Sequence, residues 1–311
     1  MRIILNPMAR HGAGRRIRHA IERELDRRRV QYDIVQTERP GHARELASDA
    51  ARAGVRLIVA AGGDGTVHEV ANGILTAAVN GTSLGVLPIG TGNDFVKMVP
   101  GAASRTAALD ALAAGSTVRV DVGRASWDDR VEYFTNAMGT GIDVEVVRQL
   151  RRSRYLPGGA TYVAALVRAL VRYRPMDVAM EIDGRTVRRR IMNLAVCNGT
   201  SIGGAFRICP EARADDGLFD VCLVDEMPVL RNALMVPRVL RGTHTRRHGV
   251  TMDRGAAVHL SLVEGGPLLF QLDGELREAP DGAAGIRIDL LPLRLNVISG
   301  ALPGDADAQH G

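Results

Sequence analysis

Arg56-Leu-Ile-Val-Ala-Ala-Gly62-Gly63-Asp64-Gly65-Thr66 reads as an apolar strand running into a glycine-rich turn, with a helix starting near Thr66. Glycines let backbone approach phosphate oxygens and aim amides at them, and a helix N-terminus adds a field that favours anions. The chemistry this suits is phosphate binding. Asp64 would repel such a ligand unless it holds Mg2+ or polarises a metal-bound water. The alternative is a plain strand-to-helix turn with Thr66 as N-cap. The pattern is neither Walker A nor G-x-G-x-x-G, so P-loop and dinucleotide readings lose ground.

Leu87-Pro-Ile-Gly90-Thr91-Gly92-Asn93-Asp94-Phe95 repeats the arrangement one strand later. Thr91 could reach a phosphate or a metal-bound water, and Asp94 could cap a helix; a turn with an N-cap is the alternative. A third turn of this kind is Asn6-Pro-Met-Ala9-Arg10-His-Gly12-Ala-Gly14-Arg15. Further on, the stretch from Gly203 to Asp220 concentrates glycines and carboxylates, and Asp216 with nearby carbonyls offers hard oxygen ligands of the kind Mg2+ takes. An Asp-Gly turn before the next strand is the competing reading. In Leu268-Leu-Phe-Gln-Leu-Asp273-Gly274-Glu275, Asp-Gly is a hairpin signal on its own, while Glu275 at a rigid turn could act as a positioned carboxylate base toward a hydroxyl.

The elements that would position these groups change character along the chain. Arg2–Leu5, Tyr32–Gln36, Arg56–Ala60 and Leu84–Ile89 read as strands, separated by amphipathic helices over Arg15–Arg29, His42–Ala53 and Val67–Ala78. This alternation predicts an α/β N-terminal domain, residues 1–120, with a mostly parallel sheet and helices on both faces; ligands would bind beyond the carboxyl ends of its strands. Residues 121–298 predict a β-rich, antiparallel, sandwich-like domain. Its runs are Thr117–Gly123, Val131–Asn136, Val178–Ile182, Arg190–Cys197, Phe219–Val224, Val258–Leu262, Leu268–Leu272 and Ile286–Leu291, with helices near Val144–Arg152 and Thr161–Tyr173. Residues 299–311 read as a frayed tail.

Composition narrows the function classes. The 311 residues are 46% hydrophobic, which suits a globular fold, and carry a formal charge of +5 borne almost wholly by arginine, Lys97 being the only lysine. That balance suits an anionic partner: nucleotide phosphates or an anionic membrane surface. Nucleic acid ranks behind both, since no aromatic platform interleaves with the basic residues. Cys197, Cys209 and Cys222 are odd in number and lack C-x-x-C spacing, which points to a reducing compartment rather than a disulfide framework. The chain has no apolar run of transmembrane length. The expectation is a cytoplasmic protein whose membrane contact is peripheral, with Arg151, Arg152, Arg154 and Arg188–Arg190 as the basic groups.

GGDGT, LPIGTGNDF, GGAFRICPEARADDGLFD and LDGE, in this order, resemble the diacylglycerol kinase catalytic-domain family of bacterial lipid kinases, related to sphingosine and ceramide kinases and more distantly to NAD kinase and phosphofructokinase. The resemblance covers roughly residues 1–298. It implies an ATP-dependent lipid kinase, with ATP between the two domains and diacylglycerol as the first acceptor. Another lipid (phosphatidylglycerol, a sphingoid base or ceramide), an NAD-kinase-like activity and a non-catalytic nucleotide or lipid sensor are the alternatives. By position it assigns ATP contacts to Asn6, Thr37, the run Gly62, Gly63, Asp64, Gly65, Thr66, Val67, His68 and Glu69, and the turn residues Gly90, Thr91 and Asn93. Asp64 would engage the catalytic Mg2+, Glu275 would be the base, and Asp273 stands beside it in the catalytic set. Asp216, with the carbonyls of Arg213 and Leu218, would hold a second, structural Mg2+. The family's first turn carries a small polar pair and a lysine where this chain has Ala9 and Arg10, which leaves the cationic role to Arg15 or Arg16. A homodimer is left open.

Overall fold

The computed structural model describes residues 1–152, 168–169, 173–282 and 284–300, without the side chains of 11–15 and 150–152. The predicted tail and nearly all of the predicted Thr161–Tyr173 helix lie outside the described residues. Two compact units form, one from Met1–Val122 with the chain from Pro292 on, the other from Gly123–Leu291.

The first unit holds β1 (Arg2–Leu5), α1 (Ala9–Arg27), β2 (Asp33–Gln36), α2 (His42–Arg52), β3 (Leu57–Gly62), α3 (Asp64–Ala77), β4 (Ser83–Pro88) and α4 (Arg105–Ala114). Its sheet runs β4-β3-β1-β2 and is parallel throughout. The end of β15 (Ile286–Ile298) adds a parallel strand beside β4. Alternation along the strands explains the two layers of helix. Ile3, Leu5, Val59 and Ala61 share one cluster with Ile21 and Leu25 of α1 and Leu109 and Leu112 of α4. Ile4, Ile58 and Ala60 alternate with them and are fully buried, and α2 and α3 also contact the sheet. Small residues let α2 and α3 approach closely: a Cβ on Gly73 would run into the Arg44 carbonyl and the Ala47 side chain.

The second unit is antiparallel. It contains most of β5 (Thr117–Trp127), then β6 (Arg130–Phe134), β7 (Ala137–Gly141), α5 (Ile142–Arg152), β8 (Met176–Ile182), β9 (Arg185–Cys197) and β10 (Phe219–Asp225). There follow α6 (Val229–Arg241), β11 (Val250–Gly255), β12 (Ala257–Leu262), β13 (Leu268–Leu272) and β14 (Glu275–Ala279). The order β14-β13-β7-β9-β8-β12-β15 makes one run, and β9 also pairs with β10. Phe134, Phe219 and Phe270 are fully buried at its centre, where Trp127 meets Phe270 edge-on at 4.9 Å. The observed fold class is the one the sequence predicts.

Several elements differ from expectation for physical reasons. Helix α1 begins at Ala9, so Gly12 and Gly14 belong to a helix and the first turn shrinks to Asn6-Pro7-Met8. Strand β7, AMGTG, is not among the predicted runs, yet all five residues are buried, and Gly139 is required where Asp143 and Gln271 crowd its Cα. Helix α6 carries Pro237 inside it and exposes several leucines, which hides its apolar stripe.

Candidate active site

The chain leaves β1 toward β2 and leaves β3 in the opposite direction toward β4, so the carboxyl ends of β1 and β3 form a topological switch point, where open α/β sheets bind ligands. Asn6 spans it. Its backbone N–H donates to the Ala61 carbonyl (3.0 Å), its Nδ2 to Thr66 Oγ1 (3.1 Å), and its Oδ1 accepts the Met8 N–H (2.9 Å). Thr37 follows β2 at the same edge, its N–H on the Leu5 carbonyl at 3.0 Å.

The two predicted glycine turns abut. Both Ile89 and Gly90 donate backbone N–H to the Gly62 carbonyl (2.9 and 3.2 Å), and a Cβ on Gly90 would lie 2.6 Å from Gly63 Cα. Only glycine fits there, because the obstacle is backbone that cannot rotate away. Helix α3 starts at Asp64 rather than Thr66; Gly63 is its N-cap, in extended conformation and without a side-chain cap. Thr66 is therefore not the N-cap. It is buried in the first turn, with its hydroxyl accepting from Asn6. In the second turn Asn93 adopts a left-handed φ of 49° and ties its Nδ2 to the Gly90 carbonyl (3.1 Å), leaving Thr91 exposed at the tip.

Asp64 points at the second turn. Its Oδ1 accepts the Asp94 N–H at 2.7 Å. Burial and the Asp94 carboxylate raise its pKa, and the amides of Asp94, Asn93 and Phe95 oppose the rise. Asp94 does not cap a helix with its side chain; it is buried and ion-paired to Lys97 Nζ at 2.6 Å. The side chains after Thr66 are largely engaged within the fold. Val67 and His68 are buried, and both oxygens of Glu69 are taken by the Gly41 and Ala43 N–H groups (2.9 and 3.0 Å) at the start of α2. Glu69 is thus a cap for α2, complementing its N-terminal dipole. Arg15 lies in α1, and its side chain is outside the described residues.

In the second unit Asp273 is an anchor rather than a reactive acid. Its Oδ1 accepts the Asn136 and Ala137 N–H groups (2.9 and 3.0 Å), and its Oδ2 accepts the Thr135 N–H and hydroxyl (2.9 and 3.3 Å). Four donors leave no oxygen to take a substrate proton. With Gly274 N–H on Gln271 Oε1 (2.6 Å), they fix the turn that presents Glu275, the partly exposed first residue of β14.

At Asp216, Oδ1 accepts the Leu218 N–H (3.2 Å) and Oδ2 accepts the Arg254 guanidinium, whose Nε also lies 3.6 Å from Asp220 Oδ2. The Arg213 guanidinium is paired with Asp215. Burial pushes the Asp220 carboxyl up and Arg254 pulls it back. The Arg254 guanidinium supplies positive charge beside Asp216 and Asp220 in this structure. At Asp64, Oδ1 already accepts the Asp94 N–H. Among the described residues no group of three or more His, Cys, Asp or Glu could hold a metal ion.

Sequence reasoning missed a cavity of about 120 Å³ in the second unit. Ile142, Val146, Met192, Ile208, Met235 and Val239 give it an apolar wall, and Asp143, Asn193 and Asn232 are its polar members. The signal available was Gly141-Ile-Asp143, a carboxylate one residue into an apolar helix face. Burial pushes the Asp143 carboxyl up to about 7, although the Val144 N–H and Gln271 stabilise its charge. Unfolded, such a group ionises near pH ~4, so its contribution to stability is full below that value and lost as pH rises to about 7. Asp143→Asn should flatten the fall in urea midpoint between about pH 4 and 7 relative to the parent; parallel profiles would show that this carboxyl does not titrate in that range.

Residues 1–125 match the family model of the diacylglycerol kinase catalytic domain, and 136–299 that of the YegS C-terminal NAD kinase beta sandwich-like domain. A Xanthomonas euvesicatoria protein named "Probable lipid kinase YegS-like" is 30% identical over 294 residues, 92% of each chain. A Mycobacterium tuberculosis protein named diacylglycerol kinase is 30% identical over 261 residues, 83% of each chain. In fold, a Bacillus anthracis diacylglycerol kinase structure covers 96% of each chain with a TM-score of 0.71 at 20% identity. Yeast NADH kinase gives 0.52 at 11%, over 97% of this chain and 83% of its own. The chain belongs to the bacterial lipid kinase family built from a diacylglycerol kinase catalytic domain followed by a YegS-type β-sandwich domain.

Proposed function

We propose that this chain transfers the γ-phosphoryl group of ATP to a lipid hydroxyl, with diacylglycerol as first acceptor and phosphatidic acid as product. The observation that carries the lipid side of this reading is the apolar cavity beside Asp143: its lining suits hydrocarbon, and its few polar groups suit a hydroxyl or ester. The abutting glycine turns at the switch point support the nucleotide side, where main-chain amides and the uncapped start of α3 would hold phosphate oxygens. Thr91, exposed at the tip, adds a hydroxyl. Asp64 acts as a positioning residue that locks one turn to the other. Mg2+ enters with the nucleotide as part of the substrate. Glu275 accepts the acceptor's proton as the new P–O bond forms and ADP leaves.

Transfer of this kind depends on positioning and on stabilising charge rather than on a covalent intermediate. No described helix is long and apolar enough to cross a membrane. The test is a panel of diacylglycerol, phosphatidylglycerol, sphingosine, ceramide and NAD with γ-labelled ATP. Label in a lipid product, diacylglycerol foremost, is the expected result. Label in NADP alone, or ATP binding without transfer to any acceptor, would defeat the proposal.

A further inference from the structure

Helix α6 has two faces that do different things. Asn232, Met235, Val236 and Val239 turn inward and line the cavity. Leu230 and Leu234, four residues apart on another face, are 73% and 59% exposed, with Val229 and Leu240 at 51% and 40%. A band of large apolar side chains open to water is uncommon on a soluble fold and marks a contact surface. The helix contains no Asp or Glu, and Arg231, Arg238 and Arg241 flank the leucines, followed by exposed Arg246 and Arg247. Leucines on one side with arginines around them is the pattern of a helix lying in a lipid interface.

We infer that this face of α6 docks on an anionic bilayer, with the leucines entering the headgroup boundary and the arginines meeting lipid phosphates. Charge complementarity argues for a membrane over a protein partner. Continuity argues the same way, since the helix that would lie on the bilayer is also a wall of the apolar cavity. A lipid leaving the bilayer would therefore meet the cavity across one helix. The docking site rests on the lipid-acceptor reading above, and the experiment separates the two.

The test is co-sedimentation of the full chain with vesicles of phosphatidylcholine alone and with about one third phosphatidylglycerol, at low and high salt. The parent chain should favour the anionic vesicles and weaken with salt. Leu230→Ser combined with Leu234→Ser should lower binding to them by at least about tenfold. The same variant should keep the parent's unfolding midpoint and its rate on a soluble short-chain diacylglycerol, because neither leucine lines the cavity. Equal sedimentation of parent and variant would overturn the inference, and so would a parent that ignores anionic vesicles. If size-exclusion shows a dimer that the double substitution dissociates, the face is covered by a second copy and the inference also fails. Vesicle binding lost in the variant, with no lipid phosphorylated by either protein, would uphold the docking face and refute the kinase reading.

Discussion

Asp273→Ala is expected to destabilise the second unit by about 3–5 kcal/mol, enough to leave a domain of ordinary stability partly unfolded. The reason is the saturation of its carboxylate. Three backbone N–H groups and one hydroxyl, from Thr135, Asn136 and Ala137, converge on it between β6 and β7. Removing the acceptor leaves those donors short of partners in a half-buried place, at about 1–3 kcal/mol each for those that water does not reach. Asp273→Asn keeps one acceptor oxygen and should fall between the parent and the alanine variant. Urea unfolding followed by circular dichroism reads the difference directly. A variant as stable as the parent but inactive would return Asp273 to a direct role in the chemistry.

Glu275→Gln should do the opposite: turnover down by about 10²-fold or more, with the fold intact. Glu275 begins β14 at a turn held by Asp273 and by Gln271, so its side chain is presented by a fixed backbone. Glutamine preserves size and hydrogen-bonding capacity while removing the basic carboxylate. At a partly exposed position the stability change should stay within about 0.5 kcal/mol. ATP affinity should also hold, which separates loss of a base from loss of a nucleotide contact. Near-parent turnover in this variant would remove Glu275 from the mechanism.

Much of this candidate site can be read from the chain because glycine-rich strand-to-helix turns obey local rules. Gly62-Gly63 and Gly90 follow buried strands and precede helical turns, and their mutual contact is a consequence of β3 and β4 being parallel neighbours. What sequence could not show was where each carboxylate points. Asp64, Glu69, Asp216 and Asp273 all sit in motifs that invite a metal or a substrate, yet each has main-chain amides on its oxygens. For Asp64, Glu69 and Asp273 these bonds reach segments distant in sequence, 138 residues apart for Asp273 and Thr135, whereas the Leu218 amide on Asp216 is a local turn. Arg254 is the same lesson with a charged partner: 38 residues from Asp216, nothing in its own neighbourhood marks it as that carboxylate's counter-ion. The cavity stayed hidden because α5, β9 and α6 each contribute only a few of its walls, and α6 spends its other apolar residues on the surface.

Under the proposed function a lipid hydroxyl, not a soluble one, receives the phosphoryl group. One vessel holding the purified chain, γ-labelled MgATP, diacylglycerol in mixed micelles and NAD tests it most directly, with products separated into lipid and aqueous phases. The expected result is label in phosphatidic acid, formed with an equal amount of ADP and reduced about 10²-fold or more by Glu275→Gln. Label confined to NADP or to inorganic phosphate would contradict it.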